Sequence, residues 1–489
     1  MIISRRNMLK LGLVGGTGLA VLPGVPWQSL NRAYATARVA SPPVKPFQVA
    51  LPVLPVLQPV SRDSSTDYYH ITQKAGQAHI LPGLTTPIWG YNGIFPGPTI
   101  EAKSFRRVVI RQTNALPVPT TTHLHGGHTP PQSDGDPTDL VSPGSSKDYI
   151  YPNRQRASTL WYHDHRMDFT GPQVYKGLAG FYLLRDEIEE SFPLPRGEHD
   201  IPLMITDRFF NADGSFFYPA LDPSLSHTPG VLPQYGYGVF GDTILVNGAV
   251  QPFLQVSTTK YRFRILNASG ARLYELALSS GQPFIQIGSD GGLLPAPVRR
   301  QTLLLASAER NDVIIDFSRC PVGSQIIMKN LHGRGRVADI MRFDVVRKEK
   351  DDYAIPATLT PIAPIDPAKA TVTRSFEFLL GQGMWTINGK HFDPNYADAR
   401  PRLNSTEIWE FTGDANHPIH IHDIMFQVLS RNGRRPAPGD AGWKDTFLLS
   451  KGERVRIIAT FTDYRGPYVF HCHNLEHEDM GMMGRFVVE

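Results

Sequence analysis

The segment His471-Cys472-His473-Asn474-Leu475-Glu476-His477-Glu478-Asp479-Met480-Gly481-Met482 gathers a thiol, imidazoles and thioethers into one short stretch. It follows Gly466-Pro467-Tyr468-Val469-Phe470, an apolar run of strand-forming residues. On a strand, residues i and i+2 share a face and i+1 takes the other. His471 and His473 therefore point one way and Cys472 the opposite way, so one tripeptide can serve two metal centres. Cys472, His477 and Met482, with a second imidazole from elsewhere, make the His₂Cys set with a weak axial Met that marks a blue-copper electron-transfer site. A lone His-Cys-His would more often be a buried free thiol between two structural histidines. The rest of the chain decides between the two.

Three further clusters share the spacing: His123-Leu124-His125, His163-Asp164-His165 and His417-Pro418-Ile419-His420-Ile421-His422. Each presents imidazoles on one face of an extended strand. Burying so many imidazoles without partners is costly. Interleaved Leu124, Trp161, Ile419 and Ile421 argue against surface tags. Zinc is the competing metal, but one thiolate with two imidazoles and a thioether favours copper.

The elements that must carry these residues are strands. A chain of 489 residues suggests about three domains of roughly 150 residues each. Gly and Pro are plentiful and long amphipathic helical runs are scarce, so the expected class is all-β. An Asn-Gly turn followed by an apolar-alternating strand occurs three times, at Asn92-Gly93, Asn247-Gly248 and Asn388-Gly389, one domain length apart. This predicts three repeats of one β-sandwich. The expected divisions are a Pro-rich arm over 36–65, domains over 66–187, 200–348 and 373–489, and a linker over 349–372. The metal-ligand candidates fall in the first and third repeats, and the middle one reads as a spacer. Ser289-Asp290-Gly291-Gly292 there reads as a turn and packing element.

The N-terminus reads as a leader over 1–35. Ser4-Arg5-Arg6-Asn7-Met8-Leu9-Lys10 is a twin-arginine pattern, a weakly apolar run follows it, and Ala33-Tyr34-Ala35 fits a cleavage site. That implies the twin-arginine export machinery as a partner and a periplasmic or secreted location. Losing Arg5, Arg6, Lys10 and Arg32 takes the formal charge from +4 to 0, which predicts no nucleic-acid binding. If Cys472 holds a metal, Cys320 has no partner for a disulfide. A monomer is expected.

Together these motifs resemble the multicopper oxidases from about residue 66 to the end. Gly442-Trp443-Lys444-Asp445-Thr446 and the terminal His471–Met483 run are similar to twin-arginine-exported bacterial copper oxidases and laccases. The two early His motifs look more like those of spore-coat laccases and bilirubin oxidases. The resemblance implies three consecutive cupredoxin-like Greek-key domains and four copper ions. It assigns His417, Cys472 and His477, with axial Met482, to a mononuclear blue copper. It assigns His123 and His420 to the single copper of a trinuclear cluster, and His125, His163, His165, His422, His471 and His473 to its coupled pair. The implied reaction is one-electron oxidation of a small donor (a phenol, an aromatic amine or a metal ion) with O₂ reduced to water. Glu478 and Asp134 match family positions that supply protons; read as isolated residues they are a salt bridge and an Asp-Gly turn. Asp445 either orients an imidazole or caps a turn. Two other readings stand beside a laccase-like enzyme: a periplasmic cuprous oxidase and a non-enzymatic envelope scaffold. Only Met384 lies between about 350 and 384, and Ala415 stands where copper-oxidising relatives tend to carry Met, so phenol oxidation is the expected activity.

Overall fold

The three Asn-Gly turns adopt one geometry in a computed structural model that describes residues 40–381 and 383–489. Asn92, Asn247 and Asn388 have φ of 57°, 50° and 52°, and the glycines after them 72°, 83° and 73°. Successive left-handed residues make a primed turn, and Asn and Gly tolerate that region best. Each Asn side-chain oxygen accepts a backbone N–H from the preceding strand: Thr72 at 2.9 Å, Met204 at 2.8 Å and Glu377 at 2.7 Å. Each Asn N–H returns to the carbonyl of that same residue, at 2.6, 3.0 and 2.8 Å.

The strand so clasped runs parallel to a second strand in every repeat. Thr66–Ala78 lies beside Arg107–Asn114, Asp200–Arg208 beside Lys260–Asn267, and Ala370–Gly381 beside Thr406–Gly413. Parallel neighbours require a crossover, so no repeat is a simple meander. A second sheet faces each of these. In the first repeat its order is Ile100–Lys103, Ala179–Arg185, Ser158–Asp164, Thr122–His125. In the third it is Thr446–Leu449, His417–Ile421, Gly466–Cys472, Met483–Val488. The middle repeat packs a seven-stranded sheet on a five-stranded one. The fold is all-β.

Each sandwich buries its own apolar set. Tyr69, Val108, Ile110, Leu160 and Tyr182 fill the first, and Phe376, Trp409, Phe411, Phe447 and Phe470 the third. The alternation read in Arg107–Asn114 holds: Val108 and Ile110 are buried, while Arg107 and Arg111 are exposed. The expected leader lies outside the described residues. The described part of the Pro-rich arm lies along the body. Its Leu51 N–H donates to Phe253 O at 2.7 Å in the middle sandwich, and Leu57 N–H to Thr99 O at 2.8 Å in the first.

A charged contact joins the first sandwich to the third. His128 Nδ1 lies 2.9 Å from Asp423 Oδ1, and its Nε2 lies 2.9 Å from Asp463 Oδ2. Burial opposes the imidazolium, but the bonds to Asp423 and Asp463 prevail and raise His128 from an ordinary 6.5 to about 9. A folded-state value above the unfolded one adds stability that is complete below about 6.5 and is lost as the pH rises through about 9. His128→Gln should therefore lower the thermal midpoint at pH 6.5 and do so much less at pH 10. An equal deficit at both pH values, measured by calorimetry, would remove this contact's charge from the account.

Candidate metal centres

Strand register brings the imidazoles together in layers. Thr122–His125 pairs antiparallel with Ser158–Asp164, placing His123 opposite His163. In the third sandwich His420 lies opposite His471, and Ile419 opposite Cys472. The two-residue period then separates the faces. Cys472 enters the apolar core of the third sandwich, along with Met482. His420 and His471 face the first sandwich. After the strand, Asn474 caps the short Leu475–Asp479 helix by accepting Glu476 N–H at 3.2 Å. That turn returns His477 to Cys472.

Four buried donor groups result. His417 Nδ1 and His477 Nδ1 lie 3.4 and 3.6 Å from Cys472 Sγ, and 3.3 Å from each other. Cys472 N–H donates to the Met482 carbonyl at 3.1 Å, which keeps the fully buried Met482 beside this group. His123 Nε2 and His420 Nε2 approach to 3.2 Å. His165 Nε2, His422 Nε2 and His471 Nε2 stand 3.2 Å apart in all three pairings. His125, His163 and His473 form the fourth group.

The opposite ring nitrogens decide what these clusters can bind. His123 Nδ1–H donates to Asp134 O at 2.6 Å, and His420 Nδ1–H to Asp445 O at 3.0 Å. A carbonyl only accepts, so in the neutral rings both Nε2 atoms are bare lone pairs facing each other. His163 Nδ1–H donates to Asp164 O at 2.8 Å, leaving its Nε2 without a hydrogen-bond partner. His125 Nδ1 and both nitrogens of His473 are likewise unpartnered. Burial holds the imidazoles neutral: His163 falls to about 3, and His123, His125, His165, His422, His473 and His477 well below the usual range. Neutral imidazoles are the metal-binding form. Nitrogens about 2 Å from one tetrahedral cation lie roughly 3.3 Å apart, close to the observed spacing. A metal fits where a proton does not.

Carboxylates surround the groups. Asp134 Oδ2 lies 2.7 Å from His422 Nδ1. Burial pushes Asp134 well above the carboxylate range. Glu478 Oε1 and Oε2 lie 3.2 Å from His165 Nδ1 and 3.1 Å from His471 Nδ1. These are ion-pair distances, although the angles fall short of hydrogen bonds and leave both oxygens unpartnered. Asp445 Oδ1 lies 3.1 Å from His125 Nε2. Burial opposes its charge, but the Arg310 guanidinium holds it well below the usual range.

The comparisons with known proteins agree with this chemistry. Residues 72–189 and 364–489 match two multicopper oxidase family models. A laccase of Bacillus subtilis (strain 168) is 39% identical over 505 aligned positions, which cover 89% of this chain and 97% of the relative. The chain belongs to the multicopper oxidases. A bilirubin oxidase of Albifimbria verrucaria is 37% identical, covering 94% of this oxidase and 85% of the relative. A crystal structure of laccase from Pediococcus acidilactici superposes with a TM-score of 0.84 at 32% identity, covering 92% and 95% of the two chains. The sandwiches are accordingly cupredoxin-like, and the family implies a copper-dependent, laccase-like oxidoreductase with four coppers.

Several contacts of the oxidase escape a reading of spacing. Trp385 stacks on His477 with centroids 3.7 Å apart, and its Nε1–H donates to Gly236 O at 2.8 Å. A Trp ahead of the third Asn-Gly turn is visible in the sequence, but nothing there aims it at His477. The Thr446 hydroxyl lies 3.0 Å from His125 Nε2. The middle sandwich does more than space its neighbours. Asp290, read as a turn element, takes the Lys444 ammonium of the third sandwich at 2.8 Å because its side chain is fully buried at the junction.

Thiolate-to-copper charge transfer requires a cysteine thiolate, and Cys472 is the one thiol in these four groups. Cys472→Ser should therefore remove the intense visible absorption of the copper-loaded oxidase and abolish turnover. An unchanged visible spectrum would refute the thiolate site.

Proposed function

We propose that this oxidase takes electrons singly from phenols and aromatic amines at the His417 edge of the thiolate site, with O₂ as acceptor. The observation that carries this is how the two imidazoles of that site are covered. Trp385 lies flat on His477. Trp385 meets His417 only edge-on, with centroids 5.5 Å apart, and His417 Nε2 lies 3.7 Å from Oδ1 of Asp414, whose side chain is 38% exposed. Ala415 beside it is small and only partly buried. His417 itself is fully buried, so a donor docks over Asp414 and the small Ala415 and passes its electron across that thin cover, which outer-sphere transfer permits without a covalent step.

His417, Cys472 and His477, with Met482, would hold one copper, and His123, His125, His163, His165, His420, His422, His471 and His473 the other three. Bound copper supplies one-electron acceptance at the first site and reduction of O₂ to water at the cluster. The protein's part is placement and protons. Cys472 is bonded through the chain to His471 and His473, so the two sites share one tripeptide. Glu478 is fully enclosed with its oxygens against His165 and His471, where a carboxylate can hand on protons that O₂ reduction consumes. Asp134 stands against His422 and supports the same role.

Cu(I) oxidation is the second reading, and one contact favours it. His391 Nε2 and Met384 Sδ lie 3.1 Å apart next to Trp385. An imidazole and a thioether suit a soft cation. The segment between about 350 and 384 contributes Met384 as its one thioether, so phenols remain the preferred donors. The twin-arginine pattern over Ser4–Lys10 supports export to the periplasm or beyond.

Three outcomes test these readings. For a methoxyphenol, kcat/KM should exceed that for Cu(I) by about tenfold or more at equal copper loading; the reverse order would favour copper detoxification. Glu478→Gln should slow reoxidation of the reduced enzyme by O₂ about 100-fold while retaining copper, and wild-type reoxidation would leave Glu478 structural. Arg5→Lys with Arg6→Lys should keep folded, active protein inside the cell. Normal export of that variant would exclude the twin-arginine route.

A further inference from the structure

One buried guanidinium ties all three sandwiches to the histidine clusters. Arg310 opens the Arg310–Asp316 strand of the middle sandwich and is fully buried. Its Nε–H donates to Thr159 O of the first sandwich at 2.9 Å. Its Nη1–H donates to Ala308 O at 3.0 Å and to Asp445 Oδ1 at 2.8 Å, and its Nη2–H donates to Asp445 Oδ2. The last two bonds form a two-pronged fork, which fixes both the position and the plane of the carboxylate.

Asp445 serves two imidazoles at once. Its side chain faces His125 Nε2–H at 3.1 Å and also accepts the Thr446 hydroxyl, itself 3.0 Å from that nitrogen, at 2.8 Å; its carbonyl receives His420 Nδ1–H at 3.0 Å. With the proton of neutral His125 on Nε2, its lone pair is on Nδ1. That atom is buried, lacks any hydrogen-bond partner and belongs to the group with His163 and His473. Among the described members of the proposed cluster, His125 is the one whose Nε2 faces a carboxylate. The local backbone is shaped to admit the fork. Gly126 has φ +84°, and a Cβ there would fall 2.6 Å from Asp445 Oδ2 and 2.7 Å from Arg310 Nη2.

We propose that Arg310 is a positioning residue for the copper cluster: by gripping Asp445 it keeps the His125 proton on Nε2, so that Nδ1 is the ligand atom. This rests on the reading of the histidine groups as copper sites. A neutral side chain at 310 would remove the fork from the Asp445 carboxylate and with it the fixed acceptor for His125, while the Asp445 carbonyl stays held by the Ile421 N–H at 3.1 Å. Partners of this kind around a ligand are worth about 10–100-fold in metal affinity.

Lys444 is the internal comparison. It is also buried at this junction, but its ammonium pairs with Asp290 and Glu309 of the middle sandwich, at 2.8 and 3.3 Å, and touches the Arg310 fork only through Asp290, which accepts the Arg310 backbone N–H at 2.8 Å. The experiment loads full-length wild type, Arg310→Met, Arg310→Lys and Lys444→Met with copper. It then measures copper per chain under chelator competition, the paramagnetic resonance of the cluster copper, the visible thiolate absorption and the thermal midpoint. Arg310→Met should release cluster copper at about 10–100-fold lower chelator concentration and alter the cluster resonance, while the thiolate absorption persists. Arg310→Lys, which keeps the charge without the fork, should fall between. Lys444→Met should lose thermal stability yet retain cluster copper. Cluster affinity and resonance that follow the thermal midpoint equally in the Arg310 and Lys444 variants would reduce Arg310 to a clamp between domains. If Arg310→Met does not fold, a wild-type resonance and affinity in Arg310→Lys overturns the proposal. A wild type that binds no cluster copper would instead refute the site reading itself.

Discussion

Imidazole lone pairs aimed at one another dictate the rest of this structure. His123 and His420 bring bare Nε2 atoms to 3.2 Å across a boundary between two sandwiches. Burial opposes the protonation that would relieve that repulsion. The arrangement suits a cation, which both lone pairs can meet at once. Everything nearby serves to hold it: antiparallel registers that stack the histidines, carbonyls that take the opposite protons, and a capped helix that folds His477 back onto Cys472.

The ring protons are managed in two ways. The carbonyls of Asp134, Asp164 and Asp445 accept from His123, His163 and His420 and can never give a proton back. The carboxylates of Asp134, Glu478 and Asp445 stand against His422, His165, His471 and His125. Asp445, held ionised by Arg310, only orients its ring, whereas the other two carboxylates can also exchange protons. The cluster thus has a rigid side and a side able to take part in acid–base chemistry.

The strand period made the histidine pairs legible, because two residues one apart share a face whatever surrounds them. The Asn-Gly turns were legible for a similar reason: they need only their own backbone geometry. What remained hidden depends on distant packing. Glu478 follows His477 in the chain, yet it meets His165 and His471. Asp445 could not be given a role, because its partners are His125 and Arg310, in two other sandwiches. Trp385 lies about a hundred residues before the ring it covers. The middle sandwich, which carries no ligand pair, read as a spacer, because the contacts of Asp290 and Arg310 exist only once three domains meet. Read alone, Asp134 is an Asp-Gly turn residue; it ends the short Pro131–Asp134 helix and also faces the cluster.

The division of ligands between sandwiches bears on how such a protein fills. His417, Cys472 and His477 all come from the third sandwich, so that pocket is complete within one domain. Each remaining group mixes the two outer sandwiches: His123 with His420, His163 with His473, and His165 with His422 and His471. For those groups, ion affinity and domain association are one equilibrium, linked by mass action. The arm and the middle sandwich act as a tether that sets the effective concentration of one half-site around the other. Loosening the tether would weaken the three shared sites together and reach the thiolate site only indirectly, through Trp385 and Asn474, which donate to Gly236 O and Tyr237 O of the middle sandwich. The chain is therefore a graded vessel, in which one compartment is sealed by local folding and the other by assembly.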